Sequence, residues 1–290
     1  MSRSVFIVGA GAVGGSIGRA LAARGIRIAG VHCRSSDHAS EGAAAIGAPA
    51  FSGELPREIR DAETVLVAVP DTAIEQVAGD AVEAAVVSAE QVWLHCAGGL
   101  SAEALAPLAG RVRGTGTLHP AMAFPRGRVT DIPPGVGFAV DGDPAAIEAA
   151  NELVDALEGI PVRVGPERRA AYHAATVLAS NYLVALLAEA RAALTATGLS
   201  DREAERLLAS LGSSALAAVS EIGIDSALTG PIERGDATTV EHHLEALAAS
   251  PDAQSLYREL GRATLRVARD DLSEDQVDAL SRILDPDADD

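Results

Sequence analysis

Short apolar runs alternate with longer alanine-rich segments over the first 165 residues. The runs are rich in Val and Ile and have the length of strands, whereas the alanine-rich segments have helical spacing. Strands are predicted at 4–8, 26–31, 64–69, 91–95, 112–118, 136–140 and 160–164, and helices at 12–24, 37–47, 72–80, 101–109 and 144–158. This alternation predicts a Rossmann-like, doubly wound, mainly parallel α/β sheet.

The pattern changes after residue 165. Helical patterns separated by short breaks follow, without a convincing strand, at 168–196, 200–217, 236–249, 251–270 and 273–283. We therefore predict two domains: an α/β domain over residues 1–165 and an all-helical domain over residues 166–290.

One predicted helix carries many polar side chains among alanines and leucines. In AAYHAATVLASNYL, residues 170–183, one half of the helix circumference holds Tyr172, His173, Thr176, Ser180 and Asn181. A stripe of small uncharged polar groups with one histidine, on an otherwise buried helix, is typical of a sheltered pocket. The alternative is that Ser and Thr bond back to the helix backbone and that His173 is a core residue.

Composition excludes several classes of function. The net charge of -18 and the pI near 4.7 argue against nucleic acid or an anionic membrane as partner. All basic side chains other than histidine are arginine, which excludes a catalytic lysine. Cys33 and Cys96 lie in no metal-site spacing, and no metal is predicted. We see no apolar run of about 18 residues and no signal-peptide pattern, so we expect a cytoplasmic protein.

A glycine loop follows the first predicted strand and opens a helix. Gly9, Gly11 and Gly14 form a GxGxxG motif in this strand–turn–helix context. Such glycines permit the tight turn, the approach of a pyrophosphate and the close packing of helix on strand. The pyrophosphate then lies on the helix N-terminus, against Ala12 and Val13. A packing turn that binds nothing is the alternative.

The end of the second strand indicates the type of nucleotide. The position about 20 residues after the motif, where an NAD-binding domain has Asp or Glu, is Arg34, followed by Ser35 and Ser36. A guanidinium with two hydroxyls suits a 2′-phosphate, so we predict NADP. Asp37 is expected to cap the next helix.

Further strand ends should meet at the same edge of the sheet, where ligands of open α/β sheets bind. In VAVPDTAI and LHCAGG the predicted cofactor contacts are Val69, Pro70, Asp71, His95, Cys96 and Ala97. Asp71 or Thr72 is also expected to cap a helix. The predicted substrate contacts are Gly98 and His119, the latter in TLHPAMAFP.

A second polar cluster lies in LTGPIERGDATTVEHHLEAL, residues 228–247. Arg234, Asp236 and His242 would gather at a helix N-terminus as an anion site. A capped loop whose charges face water explains the same residues equally well.

These motifs resemble a bacterial family of NADP oxidoreductases in which a Rossmann-like domain precedes a helical domain catalogued as domain of unknown function 2520. The likeness covers nearly the whole chain and is carried by GxGxxG, HCAGG, HPAMAF, YHAATVLASNYL and LTGPIERGD. The family is similar in plan to the 6-phosphogluconate dehydrogenase-like reductases, including pyrroline-5-carboxylate and ketopantoate reductases. The resemblance implies a homodimer formed through the helical domain.

The resemblance has one departure, since the ketopantoate reductases place a catalytic lysine near the start of this helix and here His173 stands in that region. We therefore expect an NADPH-dependent reductase of a small polar C=O or C=N substrate, such as a keto acid or an imine. His173 would donate the proton, with Asn181 and Tyr172 holding the developing anion. Ser180, Arg234 and Asp236 would contact substrate.

Three other functions remain open from the sequence. The chain could be a non-catalytic, NADP-binding or redox-sensing dimer. It could be an S-adenosylmethionine enzyme, against which Arg34 argues, or a reductase that pairs NADP with a deazaflavin.

Overall fold

The computed structural model describes residues 4–285. The chain divides into two compact units, Met1–Asn181 and Tyr182–Asp290. The predicted domain boundary at residue 165 follows the last strand and rests on a change of secondary structure rather than on contacts. The division into a nucleotide-binding and a helical domain at that residue therefore stays a prediction.

The first unit is built around an eight-stranded sheet in the order β3-β2-β1-β4-β5-β6-β7-β8. The strands are β1 (Ser4–Val8), β2 (Arg27–Cys33), β3 (Ala50–Ser52), β4 (Thr64–Val67), β5 (Val92–His95), β6 (Gly114–Pro120), β7 (Gly137–Gly142) and β8 (Ile160–Arg163). Neighbouring strands are parallel except β6 and β7. The mainly parallel, Rossmann-like sheet is confirmed, and the three-residue β3 is the one strand that the pattern missed.

Both faces of the central strands of this sheet are buried. Successive residues of β1 alternate between two cores: Val5 and Ile7 belong to one, and Phe6 and Val8 to the other. Four helices connect strands of the first unit: α1 (Ala12–Ala23), α2 (Ser36–Ile46), α3 (Ile74–Glu83) and α4 (Pro144–Ala156). Burial on both faces explains why the central strands read as continuous apolar runs.

Two predicted helices differ in the structure. The segment predicted at 101–109 forms 3₁₀ turns over Ala102–Leu108, with Pro107 inside and Leu105 outside helical geometry, because proline removes a backbone donor. The segment predicted at 168–196 is two helices, α5 (Arg169–Ala179) and α6 (Asn181–Ala196), since Ser180 has φ −124° and ψ −72°.

The second unit is helical throughout its described residues. After α6 it contains α7 (Asp201–Ile222), α8 (Ile224–Ala227), α9 (Ala237–Ala246), α10 (Pro251–Ala268) and α11 (Glu274–Leu284). Its core is formed around α9, α10 and α11 by residues such as Val240, Leu265 and Leu280. In contrast, α6 has no buried residue, and only Ala204 is buried on α7.

The helical stretch Pro166–Ala196 is long and apolar enough to cross a membrane, judged by length and composition alone. This corrects the expectation that no segment reaches that length, which considered only uninterrupted apolar runs. None of the apolar window is buried. The expectation of a buried helix at 170–183 is also wrong for the single chain, since Arg169 is the buried residue of α5.

Candidate active site

The glycine loop after β1 has the geometry of a dinucleotide-binding turn. Gly9 has φ +94°, and a Cβ there would lie 2.5 Å from the Ala68 carbonyl oxygen. A Cβ on Gly14 would collide with the Gly9 carbonyl, whereas nothing lies within 4 Å of the position a Gly11 Cβ would occupy. Two glycines therefore permit the turn and the third keeps its outer side open.

The N-terminus of α1 is free to bind an anion. Gly11 is its N-cap, and no side chain caps the helix. The N–H groups of the first helical turn, including those of Ala12 and Val13, have no partner within the helix. Together with the helix dipole they make this helix end suited to a phosphate group, and the predicted pyrophosphate contact stays a prediction.

The turn after β2 differs in one detail from the prediction. Ser35, and not Asp37, is the N-cap of α2, and its side chain accepts a hydrogen bond from the His38 amide at 3.5 Å. Arg34 and Ser36 are exposed beside it. The guanidinium of Arg34 has no ion-pair partner among residues 4–285. Its contact with a 2′-phosphate stays a prediction.

The turn after β4 lies against the glycine loop. The Val69 side chain comes within 2.9 Å of the position a Gly9 Cβ would take. Pro70 precedes a 3₁₀ turn over Asp71–Ala73. The expectation that Asp71 or Thr72 caps α3 is wrong, because Ala73 is its N-cap and no side chain bonds there.

His95 at the end of β5 shapes the following loop. It is fully buried; its Nε2 lies 2.8 Å from the Ser101 carbonyl oxygen, and its Nδ1 accepts the Ala97 N–H at 3.2 Å. Burial lowers the pKa of His95, and the charge of Arg169 adds to that effect. With both nitrogens bonded, His95 supports the loop rather than offering a free nitrogen to a ligand. Burial raises the pKa of Cys96 to about 12, so its thiol is neutral.

Three side chains and a glycine meet at the ends of β5 and β6. His119 Nδ1 lies 2.9 Å from the Tyr172 hydroxyl, and the two rings are perpendicular with centroids 5.6 Å apart. The His119 and His173 rings have centroids 6.2 Å apart. A Cβ on Gly98 would lie 2.7 Å from His119 Nε2 and 2.7 Å from His173 Nδ1. The residues predicted from three separate motifs are therefore neighbours.

Arg169 lies beneath this cluster and was missed in the sequence. It is 1% exposed, and its Nη2 donates to Thr117 Oγ1 on β6. Its Nε and Nη1 are buried without a hydrogen-bond partner. Because 169, 172 and 173 are three and four positions apart, Arg169 shares a helix face with Tyr172 and His173. Extending the polar stripe back by one turn would have found it.

Burial and neighbouring charges shift the pKa values of two members of the cluster, His119 and Tyr172. The pKa of His119 is lowered to about 4, first by burial and then by the charges of His173, Arg169 and His95. Burial raises the pKa of Tyr172, against the effect of Arg169. At neutral pH, His119 and Tyr172 are therefore neutral hydrogen-bonding groups above a fixed cation. No group of three potential ligands within residues 4–285 is arranged to hold a metal.

The far half of the polar stripe is bonded to its own backbone. Thr176 Oγ1 donates to the His173 carbonyl at 2.8 Å, and Ser180 Oγ donates to the Thr176 carbonyl at 2.6 Å. Asn181 is exposed at the start of α6, where its Oδ1 lies 3.0 Å from Ser180 Oγ. The structure therefore places Tyr172 and His173 at the cluster. For Thr176 and Ser180 it shows the alternative, in which the hydroxyl bonds to the backbone of the same helix.

The second predicted cluster forms a capped loop within the second unit. Asp236 is the N-cap of α9, where it accepts hydrogen bonds from the Thr239 amide at 3.1 Å and the Thr239 hydroxyl at 2.6 Å. These bonds lower the pKa of Asp236. Arg234 is exposed, and its carbonyl accepts from Gln276 Nε2 at 3.2 Å. A substrate role for both residues stays a prediction.

Comparison with known proteins identifies two domains. A Rossmann-like domain matches residues 2–120, and a domain of unknown function (DUF2520) matches residues 136–264. No curated protein sequence matches the chain.

Similar solved structures cover nearly the whole chain. A protein from Bacteroides fragilis, provisionally named an NADP oxidoreductase, superposes with a TM-score of 0.73 at 23% identity over 91% of this chain and 98% of its own. A Thermotoga maritima protein has a TM-score of 0.72 at 26% identity over 92% and 99%. An imine reductase from Streptomyces aurantiacus has a TM-score of 0.59 at 18% identity over 97% and 99%.

Proposed function

From a chain that joins a Rossmann-like domain to a DUF2520 domain, we propose an NADP(H)-dependent oxidoreductase that transfers hydride between nicotinamide and a small polar C=O or C=N substrate. The observation that carries this proposal is the shared position of two features. The glycine loop and the His119–Tyr172–His173 cluster both follow strands that end at one edge of a parallel sheet. Ligands of open α/β sheets bind at this edge.

The glycine loop fits a dinucleotide. Its outer side is open at Gly11, and the uncapped N-terminus of α1 is available for a pyrophosphate. Arg34, Ser35 and Ser36 are exposed at the end of β2, in position for a 2′-phosphate. The names of the Bacteroides fragilis protein and the imine reductase support the same class.

The chain's own residues would orient the substrate and supply a proton. Bound NADPH supplies a hydride, which leaves negative charge on the substrate oxygen or nitrogen. His173, which faces His119 across Gly98, donates the proton to that atom. Tyr172, held by His119, donates a hydrogen bond to the same atom, and the buried charge of Arg169 favours the anion.

Cofactor titration tests the proposal without knowledge of the substrate. The purified protein is titrated with NADPH and with NADH, following the cofactor's fluorescence. We expect selective binding of NADPH, and a loss of that selectivity in Arg34→Ala because the 2′-phosphate loses its cation. Arg111→Ala is the matched control, since Arg111 is exposed just before β6, at the opposite edge of the sheet.

Catalysis is tested by screening keto acids and cyclic imines for NADPH oxidation. With an active substrate, His173→Ala should lower turnover by about 10²–10⁴-fold while cofactor affinity is unchanged. Unchanged turnover in this variant would remove His173 from the mechanism. Cofactor binding without oxidation by any screened substrate would favour a redox-sensing protein, and failure to bind either cofactor would refute the oxidoreductase.

We also propose that the protein is a homodimer, with a second copy covering α6 and α7. Large apolar side chains are exposed on these helices: Tyr182 59%, Val184 69%, Leu211 59%, Leu216 59% and Ile222 54%. Charged residues punctuate α7, which argues for a protein partner rather than lipid. Glu203 and Arg206 line the groove that contains Leu207 and Leu211. These opposite charges are self-complementary across a two-fold axis.

Sedimentation velocity tests this assembly. We expect a dimer for the unmodified chain and a monomer for Leu211→Arg, because the variant places a charge in the apolar interface. Leu260→Arg on α10 is the control, since Leu260 is also exposed but lies on another helix. A monomeric unmodified chain, or a dimeric Leu211→Arg variant, would contradict the proposed interface.

A further inference from the structure

The connection between β6 and β7 runs along the dinucleotide helix. We name residues 121–136 the strap. Its two ends are anchored, since Met122 and Ile132 pack with the core on the α1 face of the sheet. Between these anchors, the Thr130 amide N–H donates a hydrogen bond to Ser16 Oγ at 2.9 Å, and Arg19 Nη2 forms an ion pair with Asp131 Oδ1 at 2.8 Å. The strap is therefore bound to α1 by specific contacts.

The contacts follow α1 in order from its N-terminal end. Val129 lies against Gly15, where a Cβ would come within 2.7 Å of the valine side chain. Thr130 then contacts Ser16 and Asp131 contacts Arg19. Successive strap residues therefore contact positions of α1 that lie progressively closer to its C-terminus. The residues before Val129 consequently lead towards the glycine loop.

The distances bring the preceding residues within reach of the phosphate site. Gly15 is four residues from the N-cap Gly11, or about 6 Å along the helix axis at about 1.5 Å per residue. Arg128 directly precedes Val129, and its N–H donates to the Pro125 carbonyl at 3.2 Å, while Gly127 has φ +70°. Arg126 therefore lies in a tight turn next to Arg128. The strap also leaves β6 at the edge where β1 and β4 end, since these strands run in the same direction.

Two arginines of the strap have no partner for their charge. Arg126 and Arg128 are exposed, and their guanidinium groups make no hydrogen bond or ion pair with another residue in the part of the chain that the structure describes. The chain has a net charge of -18, with 41 acidic residues for 23 arginines. In so acidic a chain, two arginines without an acidic partner beside the N-terminus of α1 are available to bind an anionic ligand.

We propose that Arg126 and Arg128 bind the pyrophosphate of the dinucleotide, closing the side of the glycine loop that the N-terminus of α1 leaves open. This rests on the proposed function and extends it. The guanidinium groups supply charge-assisted hydrogen bonds to phosphate oxygens. The backbone of the loop supplies the neutral N–H donors on the other side. Gly15 is then required because a side chain there would displace Val129 and the strap.

The experiment compares NADPH and NADH binding to three double variants by isothermal titration calorimetry. Both cofactors contain the pyrophosphate, so Arg126→Ala/Arg128→Ala should weaken both by the same factor, about tenfold. Arg126→Lys/Arg128→Lys keeps the charge and should lose less affinity. Arg111→Ala/Arg113→Ala is the control, since these exposed arginines directly precede β6, at the opposite edge of the sheet. Added salt should reduce the difference in cofactor affinity between the unmodified chain and the alanine variant, because it screens the arginine charges.

The possible results separate this proposal from the proposed function. Equal weakening of both cofactors in the alanine variant, with the control unchanged, supports the strap as a pyrophosphate clamp. Affinities within about twofold of the unmodified protein would overturn it while leaving the oxidoreductase standing. Weakening of NADPH alone would also overturn it, because the arginines would then act on the 2′-phosphate. If the unmodified chain binds neither cofactor, both proposals fail.

Discussion

Replacing Arg169 with methionine should raise the pKa of His119. Methionine fills similar space without charge, so the change removes a buried cation from beneath the histidine cluster. Arg169 is 1% exposed, and solvent screens its charge weakly. Its effect on His119 is therefore electrostatic and does not require contact between the two side chains.

The structure sets an upper limit on this effect. The pKa of His119 falls from 6.5 to about 4, a difference of about 2.5. Four causes act in the same direction, and Arg169 is the third in size after burial and His173. Removing the charge of Arg169 should therefore raise the pKa of His119 by only a minor part of that difference.

Nuclear magnetic resonance measures the titration directly in protein labelled at histidine. The His119 signal is assigned by its absence in His119→Asn, and its midpoint is compared between the unmodified chain, Arg169→Met and Arg169→Lys. Lysine retains the positive charge, so its midpoint should stay near that of the unmodified chain. Thr117→Val is a further control, because it removes the hydrogen-bond acceptor of Arg169 and keeps the charge.

Two results would refute this reasoning. An unchanged His119 midpoint in Arg169→Met would show that the guanidinium does not affect the imidazole. An equal rise in the methionine and lysine variants would show that Arg169 acts by holding α5 in place rather than through its charge. A rise in the methionine variant alone supports the electrostatic account.

Three further predictions concern acid stability, packing and reactivity. Because the pKa of His119 is depressed, the unfolded chain binds this proton first, and the free energy of unfolding should fall as the pH drops from 6.5 to 4, by at most about 3.4 kcal/mol. Urea unfolding of the unmodified chain and of His119→Asn over this range checks it, and equal losses in the two proteins would contradict it. Gly98→Ala should separate His119 from His173, because its methyl group would lie 2.7 Å from both rings. Turnover should therefore fall, while the cofactor affinity measured by titration should stay unchanged. Burial raises the pKa of Cys96 to about 12, so alkylation followed by mass spectrometry should modify Cys33 first, and the reverse order would contradict this.

Local pattern was sufficient for the sheet and the glycine loop. The strand β1 and the helix α1 begin where the apolar run and the glycines predict them. A strand buried on both faces requires consecutive apolar residues, and a tight turn requires glycine, so both are visible in a short stretch of sequence. The prediction was less accurate where a helical pattern contains a residue that disfavours or interrupts a helix. Pro107 converts a predicted helix into 3₁₀ turns, and Ser180 interrupts the helix predicted at 168–196.

The candidate site depends on contacts that local pattern does not contain. His119 and Tyr172 are 53 residues apart, and their hydrogen bond exists because α5 returns to the end of β6. Arg169 stands among charged residues in GPERR, which reads as an exposed turn. Its burial follows from the position of Thr117 on the sheet, which provides the acceptor for Nη2. Long-range packing of this kind is absent from helical spacing alone.

The polar residues of α5 therefore serve two different purposes. At the N-terminal half, Arg169, Tyr172 and His173 face the strand ends, where they place a guanidinium and two polar rings instead of apolar side chains. Further along, Thr176 and Ser180 bond to the preceding turns, which satisfies their hydroxyls without a partner elsewhere. Such back-bonding often bends helices, and here it coincides with the break at Ser180. Of the polar stripe predicted on the helix wheel, Tyr172 and His173 thus lie at the candidate site, whereas Thr176 and Ser180 bond to the backbone where α5 ends.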